Sequence, residues 1–310
     1  MLQPPAASRP APLPARRDGA ERLAAVLRTM RPQQWTKNVF VFAGLVFAGQ
    51  FLNGPDILRV LGAFGVFCLL SSAVYFLNDL VDRGRDRLHP KKRLRPLASG
   101  LLRPGEGVAA AVVLGALGLG GALLLGRSLL EVSAAYLALN LAYSFGLKHV
   151  PLWDALIVAG GFVLRALAGT SVLGIPASPW LLICTYLVAL YLSLGKRWSD
   201  AVNLSAEERA YRQAALLYDP DLLRLFMQVT MAASLISYSL YAAQGSHGPW
   251  ILVTLPFVIY GLFHYQHMVE TRALGGSPES AIFQDRPFLL NGAAYALAVL
   301  GVLLFGGHPR

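Results

Sequence analysis

Asn78-Asp79-Leu80-Val81-Asp82-Arg83-Gly84-Arg85-Asp86 closes an apolar run over residues 57–81, and sets three carboxylates at the edge of a stretch long enough to cross a bilayer. On a helix, positions 79, 82 and 86 are spaced i, i+3 and i+7 and project from one face, which Asn78 borders four residues before Asp82. Acids beside lipid are costly unless they face a wet cavity and meet cations, so the cluster points to function. The alternative is a solvated helix end just outside the membrane.

Composition agrees with a polytopic membrane chain. Of 310 residues 55% are hydrophobic and only 14% charged, where a soluble domain carries about a quarter, and the mean hydropathy is +0.51. The two cysteines, Cys68 and Cys184, lie inside apolar runs, which excludes a disulfide framework and a cysteine zinc site. A net charge of +10 reports cytoplasmic loops and anionic partners in such a chain, with no nucleic acid implied. Residues 1–20, rich in Pro, Ala and Arg and without an apolar signal core, read as a disordered cytoplasmic tail ahead of a membrane domain over 21–310.

From Glu21 to Met30 the pattern Leu23, Val26, Leu27, Met30 fits a short amphipathic interfacial helix that Pro32 ends. Apolar stretches then cover residues 38–52, 57–81, 107–126, 129–147, 152–173, 179–198, 222–243, 249–269 and 287–306, predicting an all-α bundle of about nine transmembrane helices. An odd number of spans puts the termini on opposite sides. With the N-terminus inside, 23 of the 27 Lys and Arg fall on the cytoplasmic side, which sets that orientation in the cell (inner) membrane with the C-terminus outside. The acids follow suit: Asp79, Asp82, Asp86, Asp154, Asp200, Asp219, Asp221, Glu279 and Asp285 all lie at cytoplasmic ends or loops. Chemistry is therefore expected on the cytoplasmic face.

The acid cluster leads into His89-Pro90-Lys91-Lys92-Arg93-Leu94-Arg95-Pro96, whose bases either anchor the chain at the lipid surface or bind substrate. Acids that hold Mg²⁺ beside bases that hold phosphate oxygens make a diphosphate site, because Mg²⁺ takes one or two carboxylates and completes its shell with water and substrate phosphates. No Walker loop is present, so nucleotide hydrolysis is not indicated. A second charged constellation, Gly195-Lys196-Arg197-Trp198-Ser199-Asp200, ends the sixth span, with Lys196 and Asp200 on one helical face.

An Asn-Asp-x-x-Asp-x-x-x-Asp motif after the second span and a charged motif after the sixth resemble the UbiA superfamily of intramembrane prenyltransferases. The resemblance runs from Arg31 onward. Arg31-Pro32-Gln33-Gln34-Trp35-Thr36-Lys37-Asn38, the His89–Pro96 loop, Ala142-Tyr143-Ser144-Phe145-Gly146-Leu147-Lys148-His149, Leu164-Arg165-Ala166-Leu167-Ala168-Gly169 and Gly195-Lys196-Arg197 are similar to its phosphoribosyltransferase branch. The resemblance implies a Mg²⁺-dependent transfer of 5-phosphoribose from phosphoribosyl pyrophosphate to a polyprenyl phosphate, for cell-envelope polysaccharide precursors. The alternative is transfer of a polyprenyl chain from its diphosphate to an aromatic or haem-type acceptor. Many aromatic prenyltransferases of the superfamily have a more Asp-rich second motif; here only Asp200 remains, beside Lys196 and Arg197, which suits a site for extra phosphates.

On that basis Asp79, Asp82 and Asp86 would bind Mg²⁺ and ribose or pyrophosphate, with Asn78 orienting them. Lys37, Arg93, Arg95, Lys196 and Arg197 would meet phosphates, and Asp200 would orient Lys196 or touch the donor. Tyr143 and Lys148 are candidates for the same site or interfacial anchors. Arg165, inside a span, must find either an acid, such as Asp154 three turns upstream on its face, or the acceptor phosphate. Glu279, Asp285 and Arg286 read as pocket rim or solvated loop. His264 and His267 are spaced i, i+3 without an evident third metal ligand. The glycines of Gly115-x-x-Gly118-x-Gly120-Gly121 would serve homo-oligomer contacts or internal packing. A transporter would instead show broken helices and a site at the midplane.

Overall fold

The computed structural model describes residues 19–47, 49–203, 218–244, 249–272 and 284–305, which are nearly all helical with no strand among them. Helix α1 (Gly19–Met30) leads into a 3₁₀ segment (Pro32–Phe42) and the short α2 (Ala43–Phe47). Then come α3 (Gly54–Val81), α4 (Arg83–Leu88), α5 (Pro96–Ser99), α6 (Pro104–Leu125), α7 (Arg127–Phe145), α8 (Trp153–Leu173) and α9 (Pro179–Asn203). The described chain ends with α10 (Pro220–Gln244), α11 (Leu255–Arg272) and α12 (Arg286–Phe305). Most of the predicted tail lies outside the described residues, although its last two, Gly19 and Ala20, already belong to α1.

Six helices among the described residues are long and apolar enough to cross a membrane: α3, α6, α8, α9, α10 and α12. The expected nine is therefore not matched in number. Helices α7 and α11 dilute their apolar runs with groups such as Glu131 and Asn140, or His264, Gln266 and Glu270. The first apolar stretch is a 3₁₀ segment of eleven residues followed by five in α2. At ~2.0 and ~1.5 Å per residue these reach about 30 Å, the thickness of a hydrocarbon core.

Two apolar cores share α8. One gathers Val41 and Leu45 from the first segment, Val60, Phe67, Leu70 and Val74 from α3, Tyr136 from α7 and Ala168 from α8. The other joins Ala155 of α8 to Tyr191 and Leu194 of α9, Met227 of α10 and Tyr265 and Met268 of α11. A smaller cluster of Ala25, Phe76, Leu97 and Leu102 seats α1 on the polar end of α3, with Val26 and Met30 packed in and Leu23 and Leu27 outward. The apolar side chains of α6 and α12 point outward, as on helices whose solvent is lipid.

Small residues permit the close approaches. A Cβ on Gly169 would fall 1.9 Å from the carbonyl oxygen of Val41, so the 3₁₀ segment lies backbone to backbone on α8. Gly118 meets Leu70 of α3 and Gly121 meets Val66, while only Gly120 opens outward. That stripe is engaged in packing α6 on α3, the internal use that was one of its two expected roles.

Candidate active site

Helix α3 has 28 residues, about 42 Å of helix against a hydrocarbon core of about 30 Å, so its last turns pass beyond the apolar layer. There Asp79 is 2% exposed, and the same carboxylate oxygen accepts from Arg31 Nη2 at 2.5 Å and Arg95 Nη1 at 3.1 Å. Arg95 Nη1 also donates to Asp86 Oδ2 at 2.8 Å, and Lys92 Nζ lies 4.0 Å from Asp86 Oδ1. One guanidinium therefore ties the first acid to the third.

Local structure explains how Arg95 reaches back. Arg83 and Arg87 of α4 donate to the carbonyls of Leu97 and Ala98, each at 3.1 Å, and fold the basic loop over the acids. The His89 ring accepts from the Lys91 and Lys92 amides and tightens the turn. Arg31 takes the left-handed conformation at φ 53°, ψ 63°, uncommon for a residue with a side chain, and its guanidinium sits 4.9 Å over the Tyr75 ring.

Asp82 caps α3 and turns away from this pair, accepting from Lys148 Nζ at 2.7 Å. The three acids thus do not act as one face: Asp79 and Asp86 share a cation and Asp82 has its own. No group of three or more His, Cys, Asp or Glu is placed to hold a metal among the described residues, so the expected three-acid cage is not assembled in this arrangement. Asn78, on the same end of α3, accepts from Ser144 Oγ at 2.7 Å, which joins α3 to α7. His149 lies beside Arg85 at 2.9 Å; burial first, then Arg85 and Lys148, hold its ring below the ordinary imidazole range.

The second constellation faces the first. Arg197 Nε donates to Asp154 Oδ2 at 2.7 Å, and Asp154 also accepts from the Tyr218 hydroxyl at 2.5 Å. Tyr143 lies beside Arg197 and within electrostatic reach of both Asp154 and Asp82, so it spans the two clusters. Lys196 and Asp200 sit half-buried one turn apart on α9, both engaged with neighbours, and Lys37 is half-buried near Tyr136. Arg93 is exposed on the loop.

Arg165 does not meet the acid that its spacing offered. Asp154 is taken by Arg197 and Tyr218, and Arg165, 6% exposed, donates to Asn38 Oδ1 at 2.7 Å, the Gly161 carbonyl at 2.8 Å and the Tyr136 hydroxyl at 2.9 Å. The faces of Tyr136 and Phe162 complete its surroundings. Three neutral oxygens and two rings thus replace the predicted acid, and they bind the first segment to α7 and α8. Elsewhere, His264 meets Asp285 at 2.9 Å, and Asp285 caps α12 through the Phe288 amide, so neither is a solvated rim group. Glu279 lies outside the described residues.

Sequence reasoning missed Arg31, Ser144 and Tyr218 as site neighbours. Arg31 opens the Arg31–Asn38 stretch, but nothing local names Asp79 as its partner; Ser144 and Tyr218 carry no signal of their own, because their partners lie 66 and 64 residues away in the chain.

Comparison with known proteins accords with this arrangement. The UbiA prenyltransferase family signature matches residues 38–284. Decaprenyl-phosphate phosphoribosyltransferase of Corynebacterium glutamicum is 35% identical over 285 residues, covering 89% of this chain and 85% of its own. The Mycobacterium tuberculosis protein of the same name is 35% identical over 294 residues, covering 93% and 97%. A UbiA homologue from Archaeoglobus fulgidus, solved with DMAPP and Mg²⁺, superposes with a TM-score of 0.70 at 20% identity, over 91% of this chain and 99% of that one. An all-helical membrane bundle whose two charged motifs meet at one end, matched over most of its length by these relatives, belongs to the UbiA prenyltransferase family and is a transferase.

Proposed function

We propose that this enzyme transfers 5-phosphoribose from phosphoribosyl pyrophosphate to a polyprenyl phosphate and releases pyrophosphate, a step toward cell-envelope polysaccharide precursors. The observation that carries the reading is the charge of the paired motifs. Five cations, Arg31, Lys92, Arg95, Lys148 and Arg197, contact four carboxylates, Asp79, Asp82, Asp86 and Asp154, with Lys37 and Lys196 half-buried as well. Such a surplus suits a donor bearing a diphosphate and a 5-phosphate together with an anionic acceptor. A prenyl diphosphate and a neutral aromatic acceptor would need less. The names of the mycobacterial and corynebacterial relatives point the same way.

The residues present fit a divalent cation. Asp79 Oδ1 and Asp86 Oδ2 already converge on the single nitrogen Arg95 Nη1, and two hard carboxylate oxygens are the donor set that Mg²⁺ takes when substrate phosphates supply the rest. Asp79 and Asp86 would hold the ion, and Asp82, neutralised by Lys148, would face the ribose and pyrophosphate beside them. When bound, Mg²⁺ would offset the negative charge that develops on the departing pyrophosphate. Arg31 keeps Asp79 in place, Arg95 yields its position between the acids to the ion and meets a phosphate, and Asn78, fixed by Ser144, orients the end of α3. Lys37, Arg93, Lys196 and Arg197 bind phosphate oxygens, with Asp200 orienting Lys196 from one turn away. The acceptor phosphate is already an anion and needs no general base. It needs positioning in line with C1 of the ribose, and exclusion of the water that would otherwise hydrolyse the donor.

The enzyme is an integral membrane protein, and we place this site and the N-terminus on the cytoplasmic side from the distribution of Lys and Arg. The test of function is an assay of detergent-purified protein with Mg²⁺, labelled phosphoribosyl pyrophosphate and a polyprenyl phosphate. A labelled phosphoribosyl lipid is expected. Its absence, together with turnover of a polyprenyl diphosphate and an aromatic acid, would replace this reading with prenyl transfer.

A further inference from the structure

Among the described residues only Arg31 and Leu152 adopt a positive φ without being glycine. Leu152, at φ 67° and ψ −41°, is the centre of a γ-turn closed by the Trp153 amide on the Pro151 carbonyl at 2.8 Å, immediately before α8. A leucine holds such a conformation only where its surroundings impose it, and such positions cluster at working sites. Here the Leu152 carbonyl is held by the Ala155 and Leu156 amides of α8, and its own amide by one side chain. The buried Tyr218 hydroxyl, from the residue pair that precedes α10, accepts from the Leu152 amide at 2.5 Å and donates to Asp154 Oδ1 at 2.5 Å.

The consequence passes to Arg197. Asp154 is 4% exposed, and its second oxygen accepts from Arg197 Nε at 2.7 Å while its backbone carbonyl accepts from Nη2 at 3.4 Å. A guanidinium is a rigid plane, so two bonds along one edge fix the direction of the other end. Tyr143 lies beside that guanidinium and is itself within electrostatic reach of Asp82. The order of contacts is thus turn, Tyr218, Asp154, Arg197, and it joins α8, α9 and the approach to α10 at a single guanidinium, with Tyr143 between it and the first motif.

We propose that Tyr218 is a positioning residue for the transfer: by clamping the Leu152 turn and the Asp154 carboxylate, it holds Arg197 in the orientation that receives a phosphate of the donor. The inference rests on the reading that Arg197 binds donor phosphate, and it adds a residue that never touches the substrate. Tyr218→Phe removes both bonds of the hydroxyl and keeps the ring in the core. Losing a hydrogen bond that serves a charged group is expected to raise KM for phosphoribosyl pyrophosphate roughly tenfold, with KM for the polyprenyl phosphate unchanged. Inhibition by inorganic pyrophosphate should weaken by a similar factor.

A purely structural role would not predict that selectivity, nor the following dependence. In an Arg197→Lys background, where the bidentate edge is already lost, Tyr218→Phe should add less than about twofold. Equal rises in both KM values, or full additivity with Arg197→Lys, would overturn the proposal. If Tyr218→Phe does not fold, Asp154→Asn tests the same chain of contacts and is expected to show the same donor-selective rise; a change confined to the acceptor overturns it. The wild type separates this question from the donor's identity. If it transfers only from a polyprenyl diphosphate, the donor reading fails, and the positioning role is scored by KM for that diphosphate with the same criteria.

Discussion

At the scale of the residue, each buried charge among the described residues is held by a specific partner, and the partner decides what a substitution does. Asp82 is neutralised by Lys148 through a 2.7 Å contact at the protein's polar end, where its side chain is 28% exposed. Asp82→Asn keeps the shape and removes the charge, so it should abolish phosphoribosyl transfer while leaving the protein in the membrane fraction at wild-type abundance. Retained turnover would remove Asp82 from the reaction. Arg165 should behave in the opposite way, since its three donors serve Asn38, Gly161 and Tyr136 deep in the bundle. Lysine cannot span three acceptors in that fork geometry. Arg165→Lys is expected to cost about 3 kcal/mol and lower the melting temperature in detergent by several degrees. Protein that remains folded should bind the acceptor with unchanged KM; a selective rise in acceptor KM at wild-type stability would make Arg165 a phosphate ligand instead.

At the scale of the element, the 3₁₀ segment Pro32–Phe42 is unusually long for its type, and tertiary contacts with α3 and α8 sustain it. Asn38 is bonded to Arg165 at 2.7 Å, and Val41 lies against Gly169 where a Cβ would come within 1.9 Å of its carbonyl oxygen. Backbone cannot step aside as a side chain can. Gly169→Ala should therefore destabilise by about 3 kcal/mol or more, read as a fall in melting temperature and in folded yield. Gly120→Ala on α6 is the control, because no atom lies within 4 Å of its Cβ position, and it should be neutral or slightly stabilising. The element also carries function: it begins at Arg31, which holds Asp79, and includes Lys37, so movement of the segment would disturb the acids and the first cation together.

At the scale of the whole molecule, two apolar cores meet along α8, and the charged ends of α3, α4, α7, α8 and α9 gather at one end of the bundle. That polarity is what separates an enzyme served by a soluble donor from a transporter with a site at the midplane. It also yields a test of orientation. Both native cysteines lie within helices, Cys68 buried and Cys184 half-buried, so after their replacement by alanine a single exposed cysteine can report sidedness. Arg93→Cys should react with a membrane-impermeant thiol reagent only in inside-out vesicles, and Arg127→Cys only in right-side-out vesicles. Reversal of that pattern would overturn the placement of the site on the cytoplasmic face.

Much of this molecule was legible in its residues alone. The apolar runs announced an all-helical membrane bundle, and the Asn78–Asp86 motif with Gly195-Lys196-Arg197 announced the family, because hydrophobic length and motif spacing are local properties of the chain. Six of the nine expected spans are regular apolar helices among the described residues, because apolar composition alone does not distinguish such a helix from the 3₁₀ segment or from the polar-diluted α7 and α11. Which cation meets which acid was decided only by the tertiary structure. Arg31 and Asp79 are 48 residues apart, Arg197 and Asp154 are 43, and Lys148 and Asp82 are 66. Those distances close only when the cores pack, and in a low-dielectric interior a charge binds whatever partner packing brings within about 3 Å. Arg165 shows the reason most plainly: sequence spacing offered it Asp154, and packing gave Asp154 to Arg197 and Tyr218, and Arg165 to Asn38, Gly161 and Tyr136.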